Sequence, residues 1–337
     1  MESIDLLVLR TSCDWLKAGE RVLLATVART WGSSPRPVGS MMALRGDGRV
    51  IGSVSGGCIE DDLVHRYTTA YNGEGMPEGL PRVVRYGVSA DEAHRFGLPC
   101  GGTLELILEF NPSLPSLEQL LAQLDAGNLV RRELDLGTSD TSLTATHAPE
   151  QFSFDGQRMV NTLGPGDRML LIGAGALAEY LATMALFNGF KVAVCDPRHE
   201  YMDGWNVAGV EKLVGMPDDM VRAFAPDLRS CIIGLSHDPK LDDLALLEAL
   251  HSPAFYIGVI GSRRNSQLRR ERLVEHFGQT QASLKRLHGP IGIYIGSKTP
   301  AEIAVSVMAE VLAIKNGVAL PSAANVTTAK RAREASA

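Results

Sequence analysis

The run Leu170-Leu171-Ile172-Gly173-Ala174-Gly175-Ala176-Leu177-Ala178 limits what this chain can fold into more than any other segment, because an apolar stretch enters a helical one through two glycines one residue apart. A buried strand that turns at once into a helix needs a tight turn at Gly173. It needs a backbone without Cβ at Gly175, where amides approach a pyrophosphate, and a small residue at Ala178, so that the helix lies close on the sheet. The helix N-terminus adds the positive end of its dipole. Residues 191–196 read as the following strand, with Asp196 at its end, where a carboxylate reaches ribose hydroxyls. The competing reading is a plain strand-to-helix turn with Asp196 capping it or facing water.

Strands and helices keep alternating from Arg168: 169–173, a helix from Ala176, 191–196, a short strand near Val210, 230–235, a helix over 241–250, and 255–260. Such alternation predicts a parallel, doubly wound sheet. Three further features sit where strands of that sheet end. Arg198, in Asp196-Pro197-Arg198, is placed either to meet a ribose phosphate or to form a surface ion pair. His237 closes a third strand, on the edge where ligands enter open α/β sheets, and is equally readable as a loop histidine. Ser262, Arg263 and Arg264 open a helix after another strand, offering amides and two guanidiniums to an anion or forming a solvated basic face. Thr299-Pro300-Ala301-Glu302 is explained by helix capping alone and is assigned no chemistry.

The first third reads differently. A helix over 6–17 precedes an apolar strand over 22–28, and the loop Thr30–Pro37 follows, in which Ser33, Ser34 and Arg36 are candidate phosphate ligands or parts of a rigid Pro-rich turn. A hairpin turning at Gly46-Asp47-Gly48 leads into Ser55-Gly56-Gly57-Cys58, with a helix beginning near Cys58. The amides of Gly56 and Gly57 and the helix dipole favour a Cys58 thiolate, while Glu60, Asp61 and Asp62 oppose it. Cys100 lies in a matching loop with Gly101 and Gly102, before a strand over 103–110. Two glycine-flanked thiols suggest one ligand-facing site for a soft metal or a sulfur relay, although small buried cysteines at turns are the alternative. The expected organisation is a smaller N-terminal α/β domain (1–111), a connecting subdomain and hinge (112–165), a Rossmann-type C-terminal domain (166–320) and a flexible tail (321–337).

Composition removes several function classes. A formal charge of −6 over 337 residues leaves no basic stripe for nucleic acid, and no apolar run approaches the ~20 residues that span a bilayer. The acidic start Met1-Glu2-Ser3-Ile4-Asp5 does not read as a signal peptide, so a cytoplasmic protein with reduced thiols is expected. Five cysteines without CxxC spacing suggest neither a disulfide framework nor a dedicated metal site.

Taken together, these motifs resemble the XdhC/CoxI family of molybdenum-cofactor chaperones. The resemblance rests on Gly32-Ser33-Ser34-Pro35-Arg36-Pro37-Val38-Gly39, Ser55-Gly56-Gly57-Cys58-Ile59-Glu60 and Cys100-Gly101-Gly102 in the first domain. In the second it rests on Ile172-Gly173-Ala174-Gly175, Asp196-Pro197-Arg198, Gly261-Ser262-Arg263-Arg264, Gly289-Pro290-Ile291-Gly292 and Thr299-Pro300-Ala301-Glu302. It implies a carrier of molybdenum cofactor, as molybdopterin or its dinucleotide form, that delivers this cargo to an apo molybdenum hydroxylase such as xanthine or aldehyde dehydrogenase. A cysteine desulfurase that installs the terminal sulfur and a homodimeric state are implied likewise. The chain is an accessory factor on this reading and not the dehydrogenase, whose length and iron–sulfur spacing it lacks. Tyr294 stands where the family often has Asp, so no carboxylate role is inherited there. The rival is an NAD(P)-dependent oxidoreductase using the same glycine turn, with His237 as its base.

Overall fold

The computed structural model describes residues 4–32, 36–69, 75–87, 103–148 and 150–335. These form two compact units that divide between Pro165 and Gly166.

In the first unit, helix α1 (Ile4–Lys17) precedes strands β1 (Val22–Trp31), β2 (Met41–Arg45) and β3 (Val50–Gly52). Helix α2 (Cys58–Tyr67) and strands β4 (Arg82–Tyr86) and β5 (Thr103–Phe110) follow. The strands make one antiparallel sheet ordered β3-β2-β1-β5-β4. Alternation along β1 decides what lies on each face. Leu23, Ala25 and Val27 pack with Ile59 and Leu63 of α2, whereas Val22 and Leu24 pack with Val8 and Leu9 of α1.

Residues 112–165, expected to form a connecting subdomain, instead pack into this first unit. Helix α3 (Leu114–Asp125) buries Leu117, Leu120, Leu121 and Leu124 beside α1. Strands β6 (Leu129–Asp135), β7 (Thr141–Thr146), β8 (Ser153–Phe154) and β9 (Arg158–Leu163) make a second antiparallel sheet, ordered β7-β6-β9-β8. Its inward Leu134 and Met159 meet Ala28 and Ile107 of the first sheet. Between them Arg132 forms a buried bidentate pair with Glu109, at 3.1 and 2.6 Å.

The second unit is doubly wound: β10 (Arg168–Ile172), α4 (Ala176–Phe187), β11 (Lys191–Cys195), α5 (His199–Met202), β12 (Val210–Leu213) and α6 (Pro217–Phe224) come first. Then come β13 (Ser230–Gly234), α7 (Pro239–Leu250), β14 (Tyr256–Val259), α8 (Arg263–Phe277), β15 (Leu287–His288) and α9 (Pro300–Lys315). All six strands are parallel and ordered β12-β11-β10-β13-β14-β15. Counted from β10, this is the strand order of the dinucleotide-binding Rossmann fold. Strand β10 is apolar on both faces because both are covered. Met169 and Leu171 face Ala178, Leu181 and Ala182 of α4 together with α9, while Leu170 and Ile172 face Ala245, Leu246 and Ala249 of α7. The capping box at α9 forms as its spacing predicts, with Thr299 Oγ1 accepting from the Glu302 amide at 3.3 Å and Glu302 accepting from the Thr299 amide at 3.2 Å. The segment expected as a tail carries helix α10 (Val326–Ala335). Its Arg333 donates to the Tyr294 hydroxyl at 3.1 Å, and its Glu334 pairs with Arg263.

Candidate functional site

The point where strand order reverses lies between β10 and β13, and the glycine turn sits at its carboxyl edge. Gly173 has φ 106°, and a Cβ there would stand 2.6 Å from the backbone of Ser236, so fold geometry alone demands glycine. Gly175 is the opposite case. It caps α4 at φ −92°, a value open to any residue, and a Cβ there would meet nothing within 4 Å. Among the described residues the amides of Gly175, Ala176 and Leu177 find no acceptor. Three unpartnered donors on a helix N-terminus, approached over a residue without a side chain, make a ready anion cradle. Ala178 is fully buried and lets α4 lie against the sheet.

Asp196 is where expectation and structure part. The carboxylate is 1% exposed and already holds four donors. Oδ2 accepts from the Ala174 amide at 2.9 Å and Arg198 Nη2 at 2.7 Å, and Oδ1 accepts from the Arg198 amide at 3.0 Å and its Nε at 2.8 Å. Burial works against the charge, but the bonds from Arg198 and Ala174 outweigh it and hold the carboxyl below its ordinary value. A carboxylate with its lone pairs filled has none left for ribose hydroxyls. Its role in this state is to brace the glycine turn and to hold Arg198, whose guanidinium stacks 4.0 Å over Tyr201. The ion-pair reading of Arg198 is the one its geometry supports.

His237 is exposed at the end of β13 and adopts a left-handed φ of 58°. The residue before it is tied into a network that the sequence does not announce. The Ser236 hydroxyl donates to Asp242 at 2.7 Å, and Arg269 reaches Asp242 at 3.3 Å, Asp243 at 2.7 Å and the Ile260 carbonyl at 3.3 Å. All four side chains are buried. This chain of charge-assisted bonds fixes the His237 loop relative to the Gly261-Ser262-Arg263 loop at the next strand end. There Ser262 caps α8 by accepting from the Asn265 amide at 3.1 Å, Arg263 is paired with Glu334, and Arg264 is exposed.

In the first unit, Ser33, Ser34 and Cys100 lie outside the described residues, as does the Cys58 side chain, although Cys58 opens α2 as expected. Arg36 Nε donates to Ser53 Oγ at 3.2 Å, which brings the Arg36 loop to the Ser55-Gly56-Gly57 loop. The second loop is closed on itself. Glu60 Oε1 accepts from Ser53 Oγ (2.7 Å) and the amides of Val54 (2.9 Å), Ser55 (2.9 Å) and Gly56 (3.0 Å). Its Oε2 accepts from the Gly57 amide at 2.9 Å and from the Ser55 hydroxyl. Burial raises this carboxyl, and the opposing bonds from Ser55, Ser53 and Gly56 bring it down to about 2. The Gly56 and Gly57 amides, expected to serve a ligand or a thiolate, are therefore already occupied by a permanent internal anion.

Comparison with known proteins places both units. Residues 169–311 match the XdhC Rossmann domain, and residues 15–87 match the XdhC and CoxI family. Both matched segments are thus of XdhC and CoxI type. The first interval holds every Rossmann-unit candidate from Gly173 to Arg264, and the second holds Arg36, Gly56, Gly57 and Cys58. The molybdenum cofactor insertion chaperone PaoD of Escherichia coli strain K12 is 26% identical over 311 residues, which is 91% of this chain and 88% of that one. A Bacillus subtilis strain 168 protein named as a probable xanthine dehydrogenase subunit is 26% identical over 331 residues, covering 90% of this chain and 96% of that one. A crystal structure described as a xanthine dehydrogenase from Bacillus halodurans superposes with TM-score 0.73 at 25% identity, covering 97% of this chain and 99% of that one. No helix among the described residues of this XdhC-type chain is long and apolar enough to cross a membrane.

Proposed function

We propose that this protein carries molybdenum cofactor and hands it to an apo molybdenum hydroxylase of the xanthine dehydrogenase type. The observation that carries the proposal is the set of three unpartnered amides at Gly175, Ala176 and Leu177, at the strand-order reversal of a Rossmann unit. The cofactor presents a phosphate, or in its dinucleotide form a pyrophosphate, and those amides with the α4 dipole supply what such a group needs. The name of the Escherichia coli relative supports the choice of cargo. Cys58 and Cys100 are the proposed soft ligands for the metal end and for sulfur exchange with a cysteine desulfurase, and the protein is proposed to act as a homodimer.

Anaerobic titration of the full chain with extracted cofactor tests the proposal. Stoichiometric binding is expected, and no binding under conditions that preserve the cofactor would remove it. The hydride-transfer rival needs a free ribose-binding carboxylate, and the saturation of Asp196 by Arg198 weighs against it. Tight NADH binding coupled to turnover of a carbonyl substrate would reinstate that rival.

A further inference from the structure

Beyond β14 the second unit contains a cleft of about 560 Å³ that is separate from the strand-order reversal. Its floor is the first two turns of α8, one wall is the Gly289-Pro290 turn, and Thr327 and Arg331 of α10 form the outer wall. At the bottom lies Ser266. It is 5% exposed, and its hydroxyl has no hydrogen-bond partner. Leaving a buried hydroxyl unpaired costs about 1–3 kcal/mol, and buried polar atoms in folded proteins are nearly always satisfied. Two glycine backbones pack beside this oxygen. A Cβ at Gly289 would stand 3.4 Å from Ser266 Oγ, and one at Gly261 would stand 3.7 Å away.

The charge around the hydroxyl is one-sided. Arg263, Arg264, Arg270 and Arg331 line the cleft, and no Asp or Glu does. Arg263 is neutralised by Glu334, and Arg270 is held by the Leu284 carbonyl at 2.8 Å and the Leu287 carbonyl. Arg264 and Arg331 form no ion pair within 4 Å among the described residues. The α8 N-terminus adds positive potential of the same sign. An orphaned hydroxyl beside two guanidiniums that close no ion pair, one of them three residues from Glu334, calls for a compact, multiply charged oxyanion. The volume exceeds what a bare oxyanion fills and lies in the range of small-molecule sites, leaving room for a group esterified to it.

We propose that this cleft is a second anion site. It binds a phosphate monoester through the Ser266 hydroxyl and the Arg264 and Arg331 guanidiniums, with α10 closing its outer side. The site stands whatever the strand-order reversal holds. Thr327 and Arg331 lie beyond residue 311, where the match to the XdhC Rossmann domain ends, so the outer wall is contributed by this chain's own C-terminal helix.

The test measures binding of inorganic phosphate and of cytidine 5′-monophosphate to the full chain, by calorimetry at constant ionic strength. Wild-type protein is compared with Ser266→Ala and Arg331→Gln. Ser266→Ala removes an unsatisfied group, so its unliganded thermal midpoint should equal or exceed that of wild type, which keeps misfolding from imitating the result. Each substitution should weaken binding about tenfold or more, the equivalent of ~1.4 kcal/mol. Tighter binding of the nucleotide than of phosphate identifies an esterified occupant, and equal binding identifies free phosphate. Failure of the wild type to take up either ligand saturably would overturn the site. So would folded variants whose affinity for both ligands stays within about twofold of wild type, a difference of ~0.4 kcal/mol.

Discussion

Replacing Glu60 by Gln tests the internal-anion reading of the Ser55-Gly56-Gly57 loop most directly. A carboxyl held at about 2 in the folded chain, against an ordinary 4.5, contributes about 3 kcal/mol to stability at neutral pH. Glutamine keeps the shape but places an NH2 where Oε2 now accepts from the Gly57 amide and the Ser55 hydroxyl. Donors would face donors, and the expected loss is about 2–4 kcal/mol in urea denaturation at neutral pH. The charge gives the loss a pH signature. A carboxyl whose folded value is depressed stabilises fully above its unfolded value of 4.5 and loses that contribution as pH falls toward about 2. The gap between wild type and Glu60→Gln should therefore shrink by about 2 kcal/mol between pH ~6 and pH ~3. Hydrogen exchange adds a local readout, because the Val54, Ser55, Gly56 and Gly57 amides should lose protection together in the variant. A stability difference below about 0.5 kcal/mol, or a gap indifferent to pH, would refute the assignment.

The two glycines of the Rossmann turn should behave oppositely. Gly173→Ala forces a Cβ to 2.6 Å from the Ser236 backbone at a left-handed φ and should cost about 2–4 kcal/mol in thermal denaturation. Gly175→Ala should leave stability within about 0.5 kcal/mol yet weaken cofactor binding, and unchanged affinity would take away its proposed access role. Glu109→Gln should destabilise the first unit by about 3–5 kcal/mol by stranding buried Arg132, while the double change with Arg132→Met should recover most of that loss on urea denaturation. Cys58→Ala should lower cofactor affinity or sulfur loading in anaerobic assays; wild-type values for both would reduce that residue to packing.

Much of the Rossmann unit is legible in the sequence because its signals are local. An apolar β10, two glycines and a small residue on α4 each follow from one strand turning into one helix. The packing of residues 112–165 into the first unit is not legible, since it depends on Val130, Leu134 and Leu163 meeting cores built by distant segments. Asp242 and Arg269 read as ordinary helix-surface charges and are buried only because α7 and α8 face each other. Ser266 is a polar residue in a charged helix until Gly261 and Gly289 arrive beside it, the latter from 23 residues downstream. Glu60 misleads in a more interesting way. Its position in the first turn of α2 is visible as a charge opposing a thiolate, but nothing local reveals that the preceding loop will wrap around it.

That wrapping separates two glycine-rich turns that look alike as strings of residues. Both precede a helix and expose consecutive amides, the usual basis for a phosphate site. In the first unit the chain supplies its own carboxylate, and Glu60 takes the amides of residues 54–57 at 2.9–3.0 Å. In the second unit Asp196 takes, of the amides in the glycine turn, that of Ala174 and leaves the next three open. An external anion competing for the first loop would have to displace a tethered carboxylate that is ionised at neutral pH, whereas at the second it meets donors with no competitor. The anionic end of a cargo is therefore proposed to sit on the Rossmann unit. With the amides of residues 54–57 taken, side chains are what is proposed to serve a cargo in the first unit, namely the thiols of Cys58 and Cys100.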